Sequence, residues 1–379
     1  GDLFNMYVWF EVMLISSFVL LSLGGSKLQI EGTFKYVTIN LVSSAFFLIG
    51  VGLLYSMTGT LNMAHLADVI PTIENQKMLT VVSLMFLICF GMKAAIFPLF
   101  FWLPASYHTP PISIAAVFAG MLTKVGIYSL LRVFTLMFIG NVAFTHTIIL
   151  WIAGFTMVVG SLGAISQSDI RRILSFCLIS QIGYMIFGLA VFTPLAIAGS
   201  VFYIMHHIIV KTNLFLVSGI IHKIKGSYNI KKLGGILNAY PFLSVLFLIP
   251  ALSVAGIPPL SGFWSKLFVI KAALEQHYYL ISIIALAVGL LTLFYMMKIW
   301  NEAFWKDDPE PNKKSDKMPW QNLFSRDFIF MIIPVVLLSG ITIVIGIFPE
   351  PFFNIAERSA HELMNPEIYI KAVLGSTMN

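Results

Sequence analysis

The stretch GMKAAIFPLFFWLP, residues 91–104, decides how the chain must fold. Thirteen of its fourteen residues are apolar, glycine or proline, and the remaining one is Lys93. The apolar run begins near Met78, and Pro98 follows the lysine five residues later. A proline inside a helix removes a hydrogen bond and clashes with the preceding turn. The first expectation is therefore a long apolar helix that breaks close to a buried lysine.

The rest of the chain extends this reading. Of 379 residues, 58% are hydrophobic and 11% charged, against about 25% charged in a soluble domain. That much apolar surface requires lipid as solvent. Ten stretches are long enough to span: 3–23, 33–57, 78–103, 112–137, 146–166, 170–192, 195–221, 242–274, 278–300 and 327–348. Only helices and closed barrels satisfy their backbone in lipid, and these runs are too long for barrel strands. The expected fold is an all-α polytopic membrane protein of about ten transmembrane helices.

The net charge of +6 does not point to nucleic acid, because the basic residues cluster in a few loops. Fourteen Lys and Arg, among them Lys27, Arg171, Arg172, Lys231 and Lys232, fall on one side, and five, including Lys77 and Arg132, on the other. The excess marks the cytoplasmic side and puts the N-terminus outside. The polar stretch KDDPEPNKKSDK, 306–317, reads as part of a cytoplasmic loop over 301–326, followed by a final span within 327–350 and a tail over 351–379. Cys89 and Cys177 lie in apolar runs with no metal or redox spacing and read as small core residues.

Four basic residues belong to neither side: Lys93, Lys124, Lys211 and Lys266. Each lies near mid-span, as does Glu11. A lysine stem covers about 6 Å and mid-span lies about 15 Å from either interface, so snorkelling does not reach. Static ion pairing fails by count, since one glutamate cannot neutralise four lysines. Five central charges cost roughly 12–17 kcal/mol on insertion scales, comparable to the whole net stability of a domain. Intramembrane ionisable groups of this kind mark an ion or proton path. Lysine is a poor cation ligand, but desolvation can bring its pKa into the working range while a nearby carboxylate opposes that shift. Glu11 and Lys93 are the candidate switching pair. His207 and Lys211, at i and i+4, share a helix face and extend the path. His206 points to a different face and reads as structural.

The pattern at Lys93 and Pro98 recurs in ALSVAGIPPLSGFWSKLFVIK, where Pro258 and Pro259 precede Lys266. The run over 242–274 would be about 50 Å long as one helix, too long for a straight span, so it must break. The two interrupted spans are third and eighth. An odd shift of five reverses direction, which is the mark of an inverted repeat with a site near mid-depth.

Several stretches then meet a known family. FNMYVWFEVMLISSFVLL, GMKAAIFPLFFWLPASYHTPP, FAGMLTKVGIYSLLRVF, SDIRRILSFCLISQIGYM, HHIIVKTNLFLVSG and GIPPLSGFWSKLFVIKA resemble the antiporter-like membrane subunits. These include the Mrp-type sodium/proton antiporter subunits and the proton-pumping subunits of respiratory complex I. The resemblance covers nearly all of the chain except the tail. It implies two inverted five-helix repeats, within 1–166 (which also starts the second repeat) and 167–300. It also implies that this chain begins at the family's fifth helix, so that the first repeat lacks its first member. Glu11 matches the family's glutamate, and Lys93 and Lys124 match lysines of the first repeat. His207 and Lys211 match the connecting residues, and Lys266 the terminal one. Other membrane subunits are implied as partners, with no cofactor in this subunit.

The expected function is proton translocation within a bacterial cell-membrane cation/proton antiporter, with sodium the expected cation. A redox-driven pump such as complex I is the alternative. A non-transporting scaffold is a third reading. A membrane-embedded hydrolase finds no Ser–His dyad, HExxH or paired Asp at catalytic spacing.

Overall fold

The computed structural model describes residues 1–309 and 326–375, with side chains described from 329 onward in the second segment. Among the described residues there is no β-sheet, and nine helices are long and apolar enough to cross a membrane. In chain order they are α1 Leu3–Ser22, α2 Lys27–Thr58, α3 Gln76–Ala94, α4 Ile112–Leu136, α5 Val142–Ser166, α6 Ile170–Val191 and α7 Pro194–Lys225, then, after an interrupted span, α10 Tyr279–Trp305 and α11 Arg326–Ile347. The interrupted span consists of α8 Pro241–Ala255 and α9 Ser261–Glu275. It completes the ten expected passes. The region expected as tail forms two further helices, α12 Glu350–Met364 and α13 Pro366–Leu374. Most of the loop over 306–317 lies outside the described residues.

Both breaks occur where the prolines require. The span expected over 78–103, with a break near Lys93, is helical to Ala94, and Ala95 takes a left-handed conformation with φ 61°. A short helix, Trp102–Ser106, resumes beyond it. α8 ends the same way, at Gly256 with φ 92°. In both cases the residue before proline disfavours the helical region, and the proline offers no N–H to continue the ladder. α2 starts earlier than the apolar run suggested, because Ser26 and Gln29 form a reciprocal capping box. Its first turns carry Lys27, Glu31 and Lys35, and at 32 residues the helix is longer than a hydrocarbon core requires.

The repeat has a residue-level signature. Asp2 bridges to Asn62 and Asp169 to Asn229, sixty residues apart in each case. Leu3 N donates to Leu61 O at 3.0 Å and Met63 N to Gly1 O at 2.8 Å. At the second site Ile170 N donates to Tyr228 O at 2.9 Å and Ile230 N to Ser168 O at 2.9 Å. The two aspartates cap α1 and α6, which run five passes apart. α6 is almost wholly buried and forms the centre of the bundle, whereas α1 leaves Phe4, Trp9 and Ile15 exposed on its outer face.

Candidate functional site

The break in α3 positions Lys93 in its last helical turn, buried among aromatic rings. Its ammonium lies 3.4 Å from Ser44 Oγ on α2 and 4.9 Å over the ring of Phe10 on α1. Glu11, the next residue on α1, acts on Lys93 electrostatically. The expected ion pair is not formed, however, and Glu11 Oε1 is buried without a hydrogen-bond partner. The two groups are thus neighbours in a separated arrangement, with the Phe10 ring beside the ammonium. A small cavity of about 10 Å³, lined by Lys93, Phe10, Tyr36 and Asn40, adjoins the ammonium. It has room for about one water molecule.

Lys124 sits just after a π-helical turn, Phe118–Leu122, in α4. A π-turn displaces the regular ladder, and the Lys124 ammonium donates to the Ala119 carbonyl there. α4 approaches α3 closely at Gly126, where a Cβ would stand 2.7 Å from Ala94 N and 3.0 Å from Lys93 C. That contact brings the two lysine-bearing helices together at the first break.

His207 and Lys211 lie on α7, both fully buried. Lys211 Nζ is 3.4 Å from Leu174 O on α6, and the Cys177 thiol is within hydrogen-bonding reach. Neither ring nitrogen of His207 has a hydrogen-bond partner. Buried polar atoms are normally hydrogen-bonded, and both nitrogens of this imidazole are left without a protein partner. His207 lies within electrostatic range of both Lys124 and Lys211.

Lys266 sits on α9, and the break in its span explains its position. Its ammonium donates to Val254 O and Ala255 O, both at 2.9 Å. These are terminal carbonyls of α8 that have lost their helical donors. A cation at a helix C-terminus is also favoured by the helix dipole. The Tyr184 ring lies 5.0 Å from the same ammonium. Lys211 and Lys266 are within electrostatic range of each other. Lys124, His207, Lys211 and Lys266 are thus linked in series by electrostatic proximity, and no acidic side chain forms a salt bridge with any of them among the described residues.

The sequence reading missed a polar network behind this line. Tyr203 donates its hydroxyl to Gln181 Oε1, and Gln181 Nε2 lies 3.5 Å from Thr292 Oγ1. Tyr295 reaches the same threonine at 3.2 Å and adjoins Cys177. Tyr184 stacks on Tyr203 with ring centroids 5.5 Å apart. His206, read as structural, shares a 2.8 Å hydrogen bond with Ser261 at the start of α9, and Ser261 contacts Ser253 at 3.0 Å. The lone amide of Gln181 in an apolar helix was the available signal. The tyrosines carried none, because they look like any other aromatic in a span. Among the described residues no group of three His, Cys, Asp or Glu could hold a metal ion.

Ten helical passes, two matching breaks and ionisable side chains at mid-depth define an inverted-repeat polytopic membrane protein. The chain belongs to the NADH:quinone oxidoreductase/Mrp antiporter transmembrane family, whose signature matches residues 1–292. It is 49% identical to the D-type Na(+)/H(+) antiporter subunit of Alkalihalophilus pseudofirmus over 374 residues, 99% of this chain and 74% of that protein. It is 41% identical to the corresponding protein of Bacillus subtilis over 377 residues, again covering 99% and 74%. Among solved structures, the Mrp complex from Dietzia sp. DQ12-45-1b contains a chain that superposes with TM-score 0.90 at 32% identity, covering 99% of this chain and 76% of that one. A chain of the archaeal membrane-bound sulfane sulfur reductase superposes with TM-score 0.87 at 27% identity, covering 98% and 74%.

Proposed function

We propose that the chain is the proton-translocating membrane subunit of a multi-subunit sodium/proton antiporter. The observation that carries the reading is the line of buried lysines, Lys124, Lys211 and Lys266, linked through the unpartnered imidazole of His207 and led by Lys93 beside Glu11. Glu11 approaching Lys93 holds a proton on the lysine; its withdrawal, as in the separated arrangement here, favours release. The proton passes by Lys124 and His207 to Lys211, and Lys266 exchanges it with one side of the membrane. Similarity to the D-type antiporter subunits supports sodium as the coupled cation. The other subunits of the complex are its partners, and the bacterial cell membrane is its location.

The test uses the full complex in membrane vesicles with an imposed pH gradient. Wild type collapses the gradient on adding sodium; Glu11→Ala and Lys93→Ala do not. Unchanged collapse in both variants overturns the relay and leaves a scaffold role. A wild type that is silent to sodium but acidifies vesicles when given an electron donor supports the redox-driven reading, which the likeness to a respiratory membrane complex favours.

The orientation is tested separately. Lys231→Cys should react with a membrane-impermeant maleimide only in inside-out vesicles, and Lys77→Cys only in right-side-out ones. Both positions are exposed, and the native Cys89 and Cys177 are buried and silent. The reverse pattern would invert the topology and remove the outside N-terminus.

A further inference from the structure

A cavity of about 300 Å³ opens where α2 and α6 begin, against the segment that follows the break in α3. This is the lower end of the size range for ligand pockets. Glu31, Lys35, Phe101, His108, Arg172 and Phe176 are among its lining residues. Lys35 lies about 12 Å along α2 from its first residue, and this 32-residue helix, about 48 Å long, exceeds a hydrocarbon core of about 30 Å, so its charged first turns belong at the membrane surface. The cavity is therefore at headgroup depth. Its mouth carries Phe101, 71% exposed, and Leu28, 63% exposed. Such side chains suit contact with lipid tails.

The charge of the cavity is positive on balance. Glu31 is paired with Lys35 at 2.6 Å. Arg172 is exposed and has no carboxylate within ion-pair distance among the described residues. Its Nη2 lies 3.2 Å from His108 Nε2, while His108 Nδ1 is 2.8 Å from Pro104 O. With Nδ1–H donating to Pro104, Nε2 accepts from Arg172, so the imidazole is neutral and fixes the guanidinium in place. Burial, and then the nearby Arg172, push the His108 pKa below its ordinary value, which keeps it neutral. The planar guanidinium can still offer two of its other N–H groups side by side to two oxygens of a phosphate.

We propose that this cavity binds the phosphate of an anionic phospholipid, with Arg172 and Lys35 on the headgroup and the acyl chains leaving past Phe101 and Leu28. Basic pockets between transmembrane helices recognise anionic headgroups in this way. The bound lipid would bridge α2 of the first half and α6 of the second. It would also rest on the chain that leads from the broken helix, next to the backbone downstream of Lys93.

The test titrates detergent-solubilised, delipidated complex with acyl-labelled phosphatidylglycerol and, separately, acyl-labelled phosphatidylcholine. The expected result is tighter binding of phosphatidylglycerol by about fivefold or more, the scale of one basic residue at an anionic surface. Lys35→Gln with Arg172→Gln should erase the preference. Lys231→Gln with Lys232→Gln, an equal loss of charge outside the cavity, should preserve it. Lys35→Gln alone, on an exposed side chain that folding does not need, should reduce the preference with an unchanged melting temperature. Equal affinity for the two lipids, a preference that survives the Lys35/Arg172 pair of substitutions, or displacement by millimolar inorganic phosphate would each overturn the proposal. The last outcome would identify a free-anion site instead.

Discussion

Lys266→Ala should reduce sodium-dependent collapse of a pH gradient to less than about a tenth of wild type, the effect of adding roughly 1.4 kcal/mol to a transfer step, while the complex still assembles. The transport loss follows from position. Lys266 closes the line that runs from Lys124 through His207 and Lys211, and no other ionisable side chain on α9 faces the break. Survival of the fold follows from two opposed terms. Removing the ammonium strands the carbonyls of Val254 and Ala255, at about 1–3 kcal/mol for each unsatisfied group. It also removes a charge from mid-membrane, a gain of about 2.5–3.5 kcal/mol. The two nearly cancel, and a water entering beside Gly256 can take over the carbonyls. Lys266→Arg keeps the charge but cannot release a proton near neutral pH. It should assemble equally well and remain inactive. Co-purification of the complex and vesicle assays on the same preparation check both halves. Wild-type transport in Lys266→Arg would show that charge, not proton exchange, is what this position supplies.

Much of this architecture could be read from residue order. Apolar length gave ten passes, and the prolines at 98, 258 and 259 located both breaks. The buried lysines stood out because nothing else explains a mid-span charge. Contacts between helices were not legible. Val254 and Lys266 are twelve residues apart, yet they meet only because α8 stops at Gly256 and the chain resumes as α9 beyond the break, with the lysine reaching back to the end of α8. The neighbourhood of Glu11 and Lys93 could be guessed, but their separation depends on where Phe10 and Ser44 fall, which is a matter of packing. The repeat was visible in outline as a five-helix shift. Its residue-level trace lies in the connections, not the spans: GDLF with LNMA in one half, SDIR with YNIK in the other. Apolar spans drift freely in sequence because many side chains suit lipid. The aspartate caps and the paired asparagines recur in both halves, where each accepts from backbone N–H groups at the start of a helix.

Gly262→Ala should be the most damaging glycine-to-alanine change among the described residues. A Cβ at this position would stand 1.7 Å from Ser253 O, 2.7 Å from Ser253 C and 3.1 Å from His206 Cε1. The first two atoms are backbone of α8, so no side-chain rotation relieves the clash, and α9 must move away from α8. The displacement would pull apart the bonds that fix the second break: Gly262 N to Ser253 Oγ at 3.2 Å, Ser253 to Ser261, and Ser261 to His206. Lys266, one turn further along α9, would lose its carbonyl partners together with them. Overpacking usually costs about 1–3 kcal/mol, and an overlap with immovable backbone belongs above that range. The expected result is a subunit that fails to accumulate in the complex, or one with a melting temperature far below wild type. Gly340→Ala supplies the contrast, since a Cβ there meets nothing within 4 Å. It exchanges glycine for the best helix former on a lipid-facing helix, and should be neutral or stabilising by up to about 1 kcal/mol. Equal melting temperatures for the two variants would mean that α8 and α9 are not in contact at the break, and the carbonyl cradle of Lys266 would then have no foundation.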